Sequence, residues 1–348
     1  MRAWVEARTG VGEALAACLL PRLPARANSW LSLGGILLLV LALQLVTGVL
    51  LLFYFVPDTD RAFESVRQIA REVPYGWLVQ LLHTHGANWM VALAALHLLR
   101  VAFVGAYKEP RELVWVVGCL LFLLTLGAAL TGYILPWSQM SYWATTVVTA
   151  SFEYIPFVGH DALRAVRGGD IVGPATFSRA FAAHVSLIPL AMLALVAMHL
   201  ALVRRAGLST PPRRAHAPAE PEPLRPFYPD FALRYALQAV GFLLVLFALL
   251  FFVPNLFFPY EHLLPADPFD TPPDVKPEWY FLWAYELPRL LPEWLALPLQ
   301  GLALAVLFAL PFLDRGPHRH PRDRPWIVGL LGLGVVVVVA LSILGALA

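Results

Sequence analysis

Residues 77–104, WLVQLLHTHGANWMVALAALHLLRVAFV, are apolar for most of their length yet carry three histidines, His83, His85 and His97. About 20 residues rising 1.5 Å each cross a bilayer core, so the stretch reads as a membrane helix. An imidazole facing lipid is costly and ordinarily has a partner or a function. His83 and His97 stand 14 residues apart, which leaves them about 40° from a common face and about 21 Å apart along the axis. His85 points away from that seam, and the residue fourteen further on is Leu99. It reads as a structural or surface histidine.

A second apolar run, near 182–203, holds His184 and His199, 15 residues apart. That spacing puts them about 60° off one face and about 22 Å apart. Two chain crossings separate the runs, so the helices are parallel and His83 can face His184 while His97 faces His199. Two rungs of paired imidazoles, with no cysteine or carboxylate nearby, suit bis-histidine haem better than zinc. Pro189, five residues after His184, predicts a kink that absorbs part of the angular drift. Glycines repeat the interval, with Gly34 and Gly48 in one apolar run and Gly118 and Gly132 in another. Small residues also serve ordinary helix packing in membranes. The shared period favours clearance for a flat macrocycle.

The composition agrees with a membrane protein. Of 348 residues, 59% are apolar and only 14% charged, which argues against a soluble globular domain. The near-zero net charge, with no basic stripe, argues against nucleic-acid binding. Cys18 and Cys119 lie far apart in apolar surroundings and predict neither a disulfide framework nor a CxxCH haem attachment. The first 30 residues are charged throughout and read as a retained amphipathic segment, not a signal peptide. Seven spans are expected near 31–55, 77–104, 113–135, 182–203, 232–253, 291–312 and 326–346, with short surface helices between 137 and 181. The fold class is therefore all-α and transmembrane. A four-helix di-haem bundle (1–206) is followed by a polar linker (207–229) and a three-helix C-terminal part (230–348). Most Lys and Arg residues fall on the side of the N-terminus, which predicts a cytoplasmic N-terminus and a C-terminus on the positive side of the membrane.

At the residue level the chain resembles cytochrome b of the Rieske/cytochrome b complexes, over about residues 20 to 346. The resemblance is carried by the two histidine pairs, the glycine pairs, TGYILPWSQMSYW (131–143), RAFAAH (179–184) and TPPDVKPEWYFLWAYELPR (271–289). The 15-residue histidine interval, and Arg204 five residues after His199, are similar to the plastid-type branch. So are the three spans after the linker, which look like a subunit-IV-like part fused to the haem-binding part. KPEWYFLWAY is closer to the mitochondrial type. Ser32 stands where plastid-type relatives carry the cysteine for an extra haem, so no covalent c-type haem is expected. Gln80 stands where the family has an arginine for a haem propionate. That leaves Arg179 as the candidate on that side and Arg100, three after His97, on the other.

The resemblance implies two non-covalent b-type haems, held by His83/His184 and His97/His199, and a quinol-oxidation pocket on the positive side that includes PEWY (277–280). In an apolar setting the Glu278 carboxyl should have a raised pKa and can take a proton from quinol. Pro277 fixes the entry geometry, and Tyr133, Tyr280 and Tyr285 are further polar candidates. Trp279, Tyr280 and Phe281 also shape the wall. The implied activity is a quinol:cytochrome c (or similar acceptor) oxidoreductase running a Q cycle in a bacterial inner membrane. Its partners are a Rieske iron–sulfur protein, a c-type cytochrome or similar acceptor and quinone, in a homodimeric complex. At a negative-side quinone site, Arg204, Asp230 and Tyr235 are candidates. Two rivals share the buried histidines: a di-haem anchor of a dehydrogenase and a proton-coupled transporter.

Overall fold

The computed structural model describes residues 22–25, 32–215, 223–256, 260–273 and 275–347. The N-terminal amphipathic segment, Cys18 and the middle of the linker lie outside them. Seven helices are long and apolar enough to cross a membrane. The first four are α1 (Leu33–Leu52), α3 (Gly76–Phe103), α4 (Glu112–Tyr133) and a compound span of α7 (Pro174–Ala182) and α8 (Ile188–Ala206). The last three are α9 (Ala232–Phe252), α11 (Glu293–Leu313) and α12 (Pro325–Leu347). Shorter helices join them: α2 (Ala62–Arg71), α5 (Gln139–Ala150), α6 (Gly159–Arg167) and α10 (Leu282–Leu290). Two three-residue strands, β1 (Arg22–Pro24) and β2 (Leu224–Pro226), pair antiparallel. The expected short helices between 137 and 181 are α5 and α6. The α2 helix was not expected.

The fourth span starts at Pro174, earlier than its apolar run, because α7 carries Thr176, Ser178 and Arg179. Proline at the first helical position is preorganised for that start. Between α7 and α8 the backbone makes a π turn over Ala183–Leu187, where an irregularity was expected from Pro189. Proline has no N–H to continue the α ladder four residues back. A π turn takes one more residue per hydrogen-bonded loop than an α turn. The 15-residue interval from His184 to His199 therefore spans about the angle of 14 α-helical residues, matching His83 to His97.

The first four spans pack α3 against α1 and α4, and α8 against α4. Midway along this bundle Leu41, Ile188 and Met192 form a buried cluster with Leu45, Met90, Leu124 and Val196 around them. Outward-facing side chains are apolar as well: Val336, Leu237 and Val46 are each about 60% exposed. Such surface is stable only against lipid.

Polar clamps join the C-terminal part to the bundle at both ends. At the His83 end, Gln139 N–H donates to Leu264 O (3.0 Å) and Ala266 N–H to Trp137 O (3.1 Å). The Gln139 side chain donates to Asp270 O and accepts from Asp267 N–H. At the His97 end, the Asp314 carboxylate accepts from Lys108 Nζ (2.6 Å), Arg324 Nη1 (2.6 Å) and Tyr107 Oη (2.5 Å). All four side chains are buried.

Breaking a buried ion pair from one side costs about 3–5 kcal/mol, because the remaining charge is stranded. Asp314→Asn strands two cations, so thermal unfolding in detergent should occur at clearly lower temperature. Arg67→Gln, which breaks an exposed pair with Glu64, should change it little.

Candidate functional site

Two levels of paired imidazoles run through the four-helix bundle. At the first, the His83 and His184 rings lie edge to face with centroids 6.1 Å apart. That separation leaves room for one metal ion with a bond of about 2 Å to a nitrogen of each ring. The hydrogen bonds behind the rings set their tautomers. Thr47 Oγ1 donates its own hydrogen to Leu43 O (2.7 Å), so at 2.9 Å from His83 Nδ1 it accepts. His184 Nδ1–H donates to Ala128 O (3.0 Å), with Thr131 Oγ1 at 3.4 Å. Both Nδ1 atoms therefore carry the proton and both Nε2 lone pairs are available as ligands.

Each imidazole abuts one of the four period-matched glycines. A Cβ at Gly48 would lie 3.2 Å from His83 Cε1, and one at Gly132 only 2.5 Å from His184 Cε1. At the second level, a Cβ at Gly34 would stand 3.7 Å from His97 Cε1 and one at Gly118 3.4 Å from His199 Cε1. His97 lies close enough to His199 and Arg100 to feel their charge. His85 is fully buried and donates from Nε2 to Pro254 O (3.0 Å). It ties α3 to the end of α9, a structural role.

A cavity of about 1390 Å³ opens beside the first level, lined by His83, His184, Gly48, Gly132, Glu278 and Tyr280 among others. A small notch beside it is shared by Tyr133, Pro277, Glu278 and Tyr280. The PEWY segment is anchored by Trp279 Nε1–H, which donates to Asn88 Oδ1 on α3 (2.7 Å), and Pro277 is buried. Burial pushes the Glu278 carboxyl up to about 7. Burial and the neighbouring Glu278 charge raise the Tyr280 phenol as well.

The family described as "Cytochrome b/b6/petB" matches residues 21–207, and "Cytochrome b(C-terminal)/b6/petD" matches residues 265–348. The cytochrome b of Rickettsia conorii is 37% identical, over 87% of this chain and 75% of its own length. The cytochrome b/c1 of Bradyrhizobium diazoefficiens is 35% identical over 93% of this chain, which spans about half (47%) of that longer protein. A chain of a hyperthermophilic respiratory complex III matches with TM-score 0.92 at 34% identity, covering 99% of this chain and 91% of that one. This chain belongs to the cytochrome b family.

Cytochrome b membership makes the chain a membrane electron-transfer subunit and implies b-type haems. The side chains fit such a group: at the first level both Nε2 lone pairs are free to bind a metal, and side-chain-free backbone lies against each of the four rings. Among the described residues no three His, Cys, Asp or Glu side chains converge on a common metal position.

The cations are arranged differently from expectation. Arg179 is exposed and lies over Gly168 in the preceding loop, and it is not among the residues lining the cavity. Gln80 does line it, and the Arg and Lys residues that line it are Arg67 and Arg71 of the unforeseen α2. Tyr285 sits under the Arg289 guanidinium (5.6 Å) and lines neither cavity nor notch. At the other end Arg100 donates weakly to Ser209 O (3.5 Å) and lies near Tyr235, while Arg204 and Asp230 are exposed. Sequence reading missed Thr47, Thr131 and His262. The first two had a signal, since Thr-Gly recurs at 47–48 and 131–132.

Gly132→Ala should lower the protohaem-to-protein ratio measured as the pyridine haemochrome, because its Cβ meets His184 before the ring can move. Gly241→Ala, with nothing within 4 Å, should leave the ratio unchanged.

Proposed function

We propose that this cytochrome b is the quinol-oxidising, haem-bearing subunit of a bc1-type complex. In this reading His83 and His184 hold one b-type haem, and His97 and His199 hold a second. The hydrogen bonds that leave both Nε2 lone pairs free at the first level and the glycine beside each of the four rings support the assignment. Bound there, the haems supply one-electron carriers at two depths of the membrane, which a Q cycle uses to couple quinol oxidation at one side to quinone reduction at the other.

Glu278 is the proton acceptor of the quinol pocket. Its carboxylate faces the same cavity as His83 and His184. A pKa near 7 lets it accept a hydroxyl proton and release it again near neutral pH. Pro277 and the Trp279–Asn88 bond hold the segment so that the carboxylate stays on the cavity side. Tyr133 and Tyr280 complete the polar wall. Arg100 is the cation for an anionic edge of the second haem, and Tyr235 beside it supports a quinone site at that end, for which Arg204 and Asp230 are further candidates.

The likeness to a complex III chain supports a Rieske iron–sulfur protein and a c-type cytochrome as partners, in a dimeric assembly. The bias of Lys and Arg supports a cytoplasmic N-terminus in a bacterial inner membrane, with the PEWY segment on the positive side.

Glu278→Gln should slow quinol oxidation at least about tenfold while both haem signals persist. The carboxylate is the active form, so the wild-type rate should climb as pH rises through about 7, and the variant should lose that limb. An unchanged rate and profile would remove Glu278 from the chemistry.

A further inference from the structure

The quinol pocket contains a half-buried histidine that the reaction described above does not use. His262 sits in the helical turn Tyr260–Leu263, at the start of the loop that leads to PEWY. Its Nε2 is 3.2 Å from the Tyr133 hydroxyl, and the two rings meet edge to face at 5.2 Å. Its Nδ1 is 3.3 Å from Ser138 Oγ. The turn is held independently of these side chains, by the Gln139–Leu264 and Ala266–Trp137 backbone bonds and a bridge between Ser138 and Pro265. Ser138 is fixed in turn as the N-cap of α5, accepting from Ser141 N–H. His262, Tyr133, Glu278 and Tyr280 all line the one cavity.

Resting on the quinol-oxidation reading, we propose that His262 is a positioning residue: it holds the Tyr133 hydroxyl in the pocket wall so that Tyr133 meets the same quinol oxygen that Glu278 serves. A phenol hydroxyl has one donor and two acceptor positions, and the imidazole bond selects which of them faces the substrate. Burial holds the His262 pKa at about 4, so at neutral pH the ring is uncharged and each of its nitrogens bonds in one sense, as the chain Ser138–His262–Tyr133 requires. The loop containing His262 comes from the C-terminal part and Tyr133 from α4, so this bond also sets the register of the two walls at the pocket.

The test uses two polar replacements in the assembled complex. Gln places an amide near the Nε2 position and keeps the Tyr133 bond; Asn reaches only the Nδ1 position and keeps the Ser138 bond. His262→Gln should retain kcat for quinol within about twofold. His262→Asn should lose about tenfold in kcat with KM and both haem spectra unchanged. In a Tyr133→Phe background His262→Asn should have no further effect, since the group it positions is gone. Equal rates for the Gln and Asn variants, or an undiminished Asn effect in the Tyr133→Phe background, overturn the proposal. If Glu278→Gln and Tyr133→Phe both leave quinol oxidation intact, the pocket itself has been misassigned, and that outcome is distinct from additivity at His262.

Discussion

The hydrogen bond on one nitrogen of a buried imidazole decides whether the other presents a lone pair to a metal. In this bundle Thr47 and the Ala128 carbonyl accept that bond at the first level, and the geometry around them follows. The acceptors lie on α1 and α4, so α3 and α8 must face those helices at fixed rotation. Glycines next to the acceptor threonines keep the backbone near enough for the bond and leave space beside the ring. The threonine hydroxyls are themselves bonded back to their own helices, which removes the hydroxyl's freedom to donate to the ring.

A second constraint operates at the seam between the bundle and the C-terminal part. Apolar helices in lipid gain little hydrophobic free energy from meeting each other, so close packing and polar contacts set their register. The clamp around Asp314 at one end and the Gln139 network at the other supply the polar contacts. The second clamp also places the PEWY segment and the His262 turn over the open end of the bundle. Pocket and histidine levels thus share one frame, and Glu278 comes to line the cavity beside His83 and His184.

The parts legible in the sequence were those written in period and hydropathy. The seven spans, the histidine rungs and their matching glycines all follow from helix geometry and the cost of polar groups in lipid. Pro189 announced an irregularity, but not that a π turn would take up one residue and bring the 15-residue interval into step with the 14-residue one. Partners determined by long-range packing were invisible. Nothing local in YEHLLP distinguishes His262 from a loop histidine, and nothing in RAFAAH says that Arg179 turns toward Gly168. α2 escaped notice because an amphipathic helix of ten residues leaves no mark on a search for spans. The family resemblance covered the fold and the membrane electron-transfer role; it did not show which neighbours hold each side chain in place.

Counting the haem in variants stripped of one level tests the central claim most directly. Purified wild-type chain should carry two protohaems with separable midpoint potentials. The double variant His97→Ala/His199→Ala should keep one of them, with its potential near the wild-type value and the His83/His184 level intact. Retention of both protohaems in that variant would contradict the account, because the second pair of imidazoles would then be holding nothing.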